Sequence, residues 1–191
     1  MDPPIVTTGL NNMAIEIEKK YRLSEENKLF VLNALEQIGA VFIDEDFEEN
    51  IIYNGGALNK RNAILRIRKT QNRTLLTYKE RVGSQSGIKH QIEHETEAAD
   101  AASLKTILET LGFDQLLIYE KRRKTWTLRN AEVVIDELPF GLFMEIEGSI
   151  TSIKEAEMLL DIEDFEVEPD TYPSLTARLG VSRNGIIEAR F

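Results

Sequence analysis

The sequence predicts an α+β protein in which a closed eight-stranded antiparallel β-barrel forms a tunnel, with a charged lumen and helices packed outside. Two observations support this fold. First, segments in which charged and apolar residues alternate recur along most of the 191-residue chain, and this period of two is typical of strands. Second, the charged faces are segregated by sign from strand to strand, which is unusual for a sheet whose charges face water.

Eight strands are predicted from the alternation and from the turn-forming residues between them. They cover residues 14–22, 47–53, 63–70, 74–81, 89–97, 117–128, 131–137 and 142–148. Several linkers, such as QNR, GSQSG and RNA, are too short for the crossover that parallel strands need. Neighbouring strands are therefore expected to be antiparallel.

Helices are predicted where a capping residue precedes apolar residues at helical spacing. Ser24 is expected to cap the first helix, and Asp100 the second. A third is predicted to begin at Ser152, with Glu155 completing a capping box, and a short last helix is predicted near Pro173. These helices supply the apolar surfaces that would cover the outside of the barrel.

Composition restricts the class of protein. The chain has 42% hydrophobic residues, 29% charged residues, no cysteine and a net charge of −10. This charge argues against a nucleic-acid polymer as partner, and no apolar run approaches the roughly 20 residues that span a membrane. Residues 1–12 contain Pro3, Pro4 and Gly9 and are interpreted as a flexible leader before a single domain at 13–191. They show no signal-peptide pattern, and a cytoplasmic location is expected.

Each predicted strand places its charged residues on one face, because side chains two apart point the same way. The acidic faces carry Glu16, Glu18, Glu93, Glu95, Asp136, Glu145 and Glu147, and the basic faces carry Arg66, Arg68, Lys79, Lys121 and Arg123. The plainer interpretation is a solvated face, as on most antiparallel sheets. Like charges two residues apart repel each other, however, and a closed barrel would bring acidic strands opposite basic ones.

A charged lumen also needs a reason to exist, because each desolvated ion costs several kcal/mol unless it is paired or coordinated. Clustered carboxylate oxygens suit Mg²⁺ or Mn²⁺, and paired arginines and lysines suit phosphate oxygens. The two kinds of face together predict a binding site for a metal-bound polyphosphate.

Six sequence blocks carry a resemblance to a known family. The motif ExExK at Glu16, Glu18 and Lys20 is followed in order by LRIR, LTYK, ExExE, KxRxxW and FxEIEG. Over nearly its whole length the chain resembles the CYTH superfamily, the triphosphate tunnel metalloenzymes. This superfamily includes class IV adenylyl cyclases, thiamine triphosphatases and inorganic tripolyphosphatases. The blocks YEKRRKTW and HETE are most similar to its bacterial CyaB-like branch, which is class IV adenylyl cyclase-like.

The resemblance implies roles for particular residues. Phosphate groups would be bound by Arg66, Arg68, Lys79, Lys121 and Arg123, and Mg²⁺ or Mn²⁺ by Glu16, Glu18, Glu145 and Glu147. Lys20 would act in catalysis with Glu16 and Glu18, while Glu93, Glu95 and Asp136 would line the tunnel. Members of the superfamily often dimerise, so a homodimer is compatible with the resemblance.

Some residues depart from the family pattern or have a plainer interpretation. Relatives often carry a basic residue where this chain has Gln91, so one phosphate contact is expected to be weaker. The histidines His90 and His94 are too few for a metal cluster and are interpreted as surface or packing residues. The acidic runs EDFEEN and DIEDFEVEPD are interpreted as solvated faces or loops.

Three functions stay open at this stage. The favoured one is a metal-dependent hydrolase of inorganic tripolyphosphate or a related organic triphosphate, because it needs only the tunnel residues. The second is a class IV adenylyl cyclase that converts ATP to cyclic AMP and pyrophosphate, which also needs a site for adenine. The third is a non-catalytic module that binds polyphosphate or a nucleotide, and the complete set of acidic residues argues against it.

Overall fold

The computed structural model describes residues 15–85 and 87–191, so the predicted leader at 1–12 lies outside the described part of the chain. Ten strands are present there. They are β1 (Ile15–Leu23), β2 (Val41–Asn54), β3 (Ala63–Lys69), β4 (Thr74–Gln85), β5 (Ile88–Glu97), β6 (Asp114–Leu128), β7 (Ala131–Leu138), β8 (Gly141–Gly148), β9 (Val181–Arg183) and β10 (Ile186–Ala189).

Five helices connect or follow these strands in the described residues. They are α1 (Glu25–Gln37), α2 (Leu58–Arg61), α3 (Ala101–Thr110), α4 (Ile150–Leu160) and α5 (Tyr172–Leu179). None of these helices is long and apolar enough to cross a membrane.

Eight strands close into a ring, which confirms the predicted α+β barrel with helices outside. The strands follow one another in the order β2, β3, β4, β5, β1, β8, β7 and β6, and β6 pairs with β2 to complete the circle. Every pairing within the ring is antiparallel. The remaining two strands form a hairpin, and β10 joins the outer edge of β6 in the parallel direction.

Four predicted boundaries are wrong by two residues or more. Strand β4 extends to Gln85, beyond the predicted end at 81, and β6 begins at Asp114, before the predicted start at 117. The second ring strand begins at Val41, six residues before the predicted start at 47, because residues 41–48 pair with β6. Among the described residues, β2 pairs with β3 only from Glu49 to Tyr53, so its first half has a partner on one side. The fourth helix begins at Ile150 because Ser149 caps it, accepting a hydrogen bond from the backbone of Ser152 at 3.0 Å.

The largest apolar cluster lies outside the ring, and a smaller one fills the end of the ring that α5 covers, where Ile52, Leu117 and Phe143 pack with Leu175. Helices α1 and α4 cover β1, β7 and β8, where Tyr21, Val31, Val133 and Leu160 are completely buried. Burying a side chain of this size stabilises the fold by about 1.5–3 kcal/mol. Because the outward faces of β1, β7 and β8 supply this outer core, their opposite faces are left to line the lumen.

The last part of the chain, residues 166–191, is called here the C-terminal arm. It first crosses one end of the barrel, where the backbone of Glu168 donates to the carbonyl of Lys20 at 2.8 Å. Helix α5 follows, and Gly180 then turns the chain toward β9 and β10. The arm therefore packs across the end of the lumen before it extends the sheet.

Gly180 gives a test of how tightly the C-terminal arm is packed. A Cβ atom at this position would lie 2.7 Å from the Thr176 carbonyl and 2.8 Å from a methyl group of Ile187. We expect Gly180→Ala to lower the free energy of unfolding by about 1–3 kcal/mol, as overpacking usually does. Gly83→Ala is the matched control, since nothing lies within 4 Å of its Cβ position. Equal unfolding midpoints in urea for the two variants would contradict this packing.

Candidate active site in the barrel lumen

The ring encloses a cavity of about 620 Å³ whose wall is dominated by charge. Its basic lining residues are Lys20, Arg66, Arg68, Lys79, Arg81, Lys121 and Arg123. Its acidic lining residues are Glu16, Glu18, Glu93, Glu95, Glu132, Glu145 and Glu147. All the predicted site residues reach this cavity except Asp136, which has no exposed surface and lies behind the lining.

The two signs of charge occupy opposite halves of the ring. Strands β6, β2, β3 and β4 are consecutive around the barrel, and three of them carry the lining arginines and most of the lining lysines. Strands β5, β1, β8 and β7 complete the circle and carry all the lining glutamates. Lys20 on β1 is the one lining base on the acidic half among the described residues. A ligand in the lumen would thus contact a basic wall and an acidic wall at once.

Arg123 is held in the basic half by acidic neighbours. Its guanidinium donates to Asp136 at 2.7 and 2.6 Å and to Glu145 Oε2 at 2.6 Å. Burial disfavours the charge of Glu145, but Lys20 and Arg123 outweigh it and hold its pKa well below the ordinary value. Arg123 therefore sits in a fixed orientation with its side chain reaching the cavity.

Lys121 lies deeper in the same half. Its Nζ is 3.4 Å from both Asp136 and Glu48, and Glu48 also approaches Arg68 at 3.5 Å. Burial and the nearby Arg123 lower the pKa of Lys121 to about 8. Burial opposes the charge of Glu48, but Lys121 and Arg68 keep its pKa well below the ordinary value. The buried carboxylates of Glu48 and Asp136, which do not line the cavity, thus offset part of the basic charge.

The basic half retains hydrogen-bonding capacity that the protein does not use. The buried Nε–H group of Arg66 has no hydrogen-bond partner among the described residues, and that of Arg68 has only the ion pair with Glu48 at 3.5 Å. Arg66 uses only its Nη2 atom, which donates to Thr77 at 3.3 Å. Buried donors in proteins are normally satisfied, so these groups indicate the place of a ligand with acceptor oxygens.

Most carboxylates of the acidic half are shared among lysines. Lys79 Nζ lies 2.6 Å from both Glu16 and Glu93, and Lys89 Nζ lies 3.3 Å from Glu18. Burial and the neighbouring Glu93 raise the pKa of Glu16. The lysines therefore supply part of the positive charge that this wall requires.

Positive charge is lacking at Glu147. Strand pairing places Glu147 directly opposite Glu18 on one side and Glu132 on the other. Like charges in directly opposed positions destabilise a sheet. Loss of hydration and the carboxylates of Glu16 and Glu132 raise the pKa of Glu147 to about 7. Neither Glu147 nor Glu132 forms an ion pair with any described residue.

The acidic half suits a hard divalent cation in donor type and in charge. Among residues 15–85 and 87–191, no three acidic or histidine side chains converge into a ready-made metal shell. The row of Glu18, Glu147 and the nearby Glu16 nevertheless combines oxygen donors with the uncompensated negative charge of Glu147. Glu145 fits less well, because its two oxygens already contact Lys20 and Arg123.

Lys20 lies in the acidic half, at the end of the lumen that the C-terminal arm crosses. Its Nζ is 3.2 Å from Glu145 Oε1 and donates to the carbonyl of Asp170 at 3.3 Å. An ammonium group has three donors, so one N–H remains beyond these two contacts. The predicted catalytic lysine is thus buried, oriented and able to make one further hydrogen bond.

Four buried residues of the site were not predicted. Glu48 is 3% exposed, although the run EDFEEN was interpreted as solvated, and Glu168 in the second acidic run is also buried. Lys89 is buried beside Glu18 and shares a face with Gln91, so the strand has a base two residues earlier than expected. The alternation of β5 could have revealed Lys89, since it continues the face of Glu93 and Glu95. Tyr172 had no signal in the sequence, because the contacts that place it are with strands distant in the chain.

A tunnel of eight antiparallel strands with one basic and one acidic half defines a class of protein. Comparison with known proteins shows which family has this fold. The family of CYTH domains matches residues 14–171. A candidate adenylate cyclase of Methanocaldococcus jannaschii is 31% identical over 151 residues, which cover 77% of this chain and 84% of that protein. The chain belongs to the CYTH family.

Solved structures agree with the fold. A protein of Pyrococcus horikoshii OT3 superposes with a TM-score of 0.73 at 25% identity, covering 84% of this chain and 98% of that one. A candidate adenylyl cyclase from Hippeastrum, described as having a dominant triphosphatase activity, superposes with a TM-score of 0.67 at 17% identity. That likeness covers 85% of this chain and 95% of the Hippeastrum chain and concerns the fold alone.

The environment of Glu147 makes stability depend on pH in a defined direction. Its pKa is about 7 in the folded protein against an ordinary value of 4.5, so folding takes up a proton between these values. With a chelator present, the destabilisation by Glu147 should grow as pH rises from 4.5 and be complete above about 7. We expect Glu147→Gln to be more stable than wild type at pH 8, with the difference vanishing near pH 4.5 in urea unfolding.

The control for this experiment is Glu137→Gln. Glu137 lies on the outer face of β7 and accepts a hydrogen bond from Arg122 at 2.9 Å, and it is partly exposed. It should show no such rise in relative stability with pH. A constant offset between Glu147→Gln and wild type from pH 4.5 to 8 would exclude the raised pKa.

Proposed function

We propose that this protein is a divalent-cation-dependent hydrolase that acts on inorganic tripolyphosphate or a related organic triphosphate. The observation that carries the proposal is the division of one lumen into a basic and an acidic half. A polyphosphate alone would be repelled by the acidic half, and a cation alone by the basic half. A triphosphate with its divalent cation satisfies both walls.

The basic half would bind the phosphate oxygens. The residues proposed for this role are Arg66, Arg68, Lys79, Lys121 and Arg123. The Nε–H group of Arg66, which has no partner among the described residues, supports it, because a phosphate oxygen would supply the missing acceptor. Donors that are already oriented stabilise charge developing on the transferred group without further rearrangement.

The acidic half would hold the cation. Glu16, Glu18 and Glu147 are proposed as its ligands, and Mg²⁺ or Mn²⁺ suits their oxygen donors. When bound, such an ion would supply neutralisation of the phosphate charge as a Lewis acid. Glu145 was also expected to bind metal, but its contacts with Lys20 and Arg123 favour a role in orienting these two bases.

Catalysis would use Lys20 together with the glutamates of β1. Lys20 has one N–H beyond its contacts with Glu145 and Asp170, and a phosphate oxygen is the proposed acceptor. Glu16 and Glu18 would act with Lys20 by holding the cation beside the phosphates, and the proton of the attacking water would pass to the released phosphate. Water would add to the terminal phosphorus, and the bond to the leaving pyrophosphate would break.

A class IV adenylyl cyclase is the second candidate. It is favoured by the 31% identity to the Methanocaldococcus jannaschii protein, which is named for that activity. The same binding of a triphosphate serves both reactions, but in a cyclase the ATP 3′-hydroxyl attacks the α-phosphorus. The Hippeastrum protein, a candidate adenylyl cyclase with a dominant triphosphatase activity, indicates that both reactions are compatible with this fold.

The biological setting stays a prediction. A small triphosphate is the proposed partner, with no nucleic-acid polymer, since the net charge is −10. The cytoplasmic location and the homodimer also stay predictions.

Product analysis tests the proposed function directly. Purified protein is incubated with tripolyphosphate or ATP, with Mg²⁺, Mn²⁺ or a chelator, and cyclic AMP, pyrophosphate and orthophosphate are resolved. We expect cation-dependent orthophosphate from tripolyphosphate and no product with the chelator. Cyclic AMP with pyrophosphate from ATP would replace the hydrolase by the cyclase. Binding of tripolyphosphate without any product would favour the non-catalytic module.

Neighbouring arginines on β6 provide a matched test of the basic half. Arg123 points into the lumen, whereas Arg122 points outward, pairs with Glu137 and is about half exposed. We expect Arg123→Ala to lower kcat by about 10²–10³-fold, the usual cost of losing a donor to developing charge. Arg122→Ala should retain the wild-type rate. Equal kcat values for the two variants would show that the reaction does not occur in this lumen.

A further inference from the structure

We infer that Tyr172 is a positioning residue of this site, which fixes the orientation of Lys20 and, through Asp136, of Arg123 and Lys121. Tyr172 is the first residue of α5 in the C-terminal arm. The inference rests on the proposed function, because it concerns how the same lumen is organised.

The hydroxyl group of Tyr172 organises the basic half through Asp136. It donates to Asp136 Oδ2 at 2.8 Å, and both side chains are almost completely buried. The same carboxylate accepts two hydrogen bonds from Arg123 and lies 3.4 Å from Lys121. Burial and the neighbouring Asp136 raise the pKa of Tyr172 well above its ordinary value, so the phenol stays a donor. It thereby limits the orientations open to the carboxylate that holds both bases.

The aromatic ring of Tyr172 contacts the acidic half through Lys20. The Nζ atom of Lys20 lies 3.5 Å from the ring centroid, and that of Lys121 lies 5.4 Å from it. Both distances are within the range of an attractive cation–π contact, which is strongest where water is excluded. One side chain therefore contacts the proposed catalytic lysine and a proposed phosphate-binding lysine.

The C-terminal arm holds Tyr172 in this place. Thr171 caps α5 through a hydrogen bond from the backbone of Ser174 at 3.3 Å. The carbonyl of Asp170 accepts hydrogen bonds from Lys20 at 3.3 Å and from Lys89 at 3.4 Å. Because these contacts come from both sides of Tyr172, its ring and hydroxyl group have little freedom to move independently of the site.

A merely structural role for Tyr172 makes a different prediction, and Tyr21 provides the comparison. Tyr21 is also fully buried, and its hydroxyl group donates to the buried carboxylate of Glu157. It packs in the core outside the ring and does not line the lumen. Tyr21→Phe and Tyr172→Phe each delete one buried hydroxyl hydrogen bond, but only the second lies behind the proposed active site.

The experiment compares these two variants and Tyr172→Leu in tripolyphosphate hydrolysis. We expect Tyr172→Phe to lower kcat by about 10- to 100-fold, as small displacements of reacting groups do, with a smaller change in KM. Tyr172→Leu also loses the ring and should have a still lower kcat. Tyr21→Phe should keep the wild-type kcat despite a lower melting temperature. If Tyr172→Phe keeps the wild-type kcat, or if both Phe variants lose the same activity, the positioning role is wrong.

A second readout separates this inference from the proposed function. If wild type hydrolyses no triphosphate, the hydrolase proposal fails, and the affinity for tripolyphosphate is measured by calorimetry in the presence of chelator. Tyr172→Leu should then bind at least tenfold more weakly than Tyr21→Phe, a difference of about 1.4 kcal/mol. Equal affinities, or no binding to wild type, would overturn the positioning role.

Discussion

The structure depends on opposite charges facing one another across a closed lumen. Each wall alone would be unstable, because several like charges are brought together out of bulk water. Internal pairs relieve this, as where Lys79 bridges Glu16 and Glu93 or where Glu145 bridges Lys20 and Arg123. The free site is therefore largely neutralised by its own side chains. When a triphosphate and its cation bind, the basic residues would exchange their carboxylate partners for phosphates, and the acidic residues would exchange their lysine and arginine partners for the cation. Each charge would keep a partner of opposite sign, which limits the free-energy cost of binding.

The sequence predicted the ring and most of its lining because strand alternation is a local property. Residues such as Arg66, Arg68 and Glu147 appear in short segments where every second residue is charged, and their faces follow directly. Glu48 was missed for the opposite reason. It lies in a run of consecutive acids, where alternation is hidden, and only the pairing of β2 with β6 shows which acid points inward.

Contacts between distant parts of the chain were the other feature that could not be predicted from the sequence. The buried charge of Asp136 was expected in the lining, but Arg123 and Tyr172 cover it, and no local pattern shows that. The partnership of Glu145 with Lys20 likewise depends on β1 lying beside β8. Helix starts are also local, yet Ser149 and Ser152 are both acceptable caps, so choosing between them required the actual chain path.

The early start of β2 has a consequence for the behaviour of the protein in solution. Residues 41–48 extend beyond β3 and leave one edge of the strand open among the described residues. Exposed Val41, Phe42 and Ile43 would make such an edge prone to adding a strand from another molecule. The acids that follow, Asp44, Glu45 and Asp46, would meet their own copies if two edges aligned antiparallel. Their mutual repulsion gives this segment protection against aggregation that is independent of catalysis.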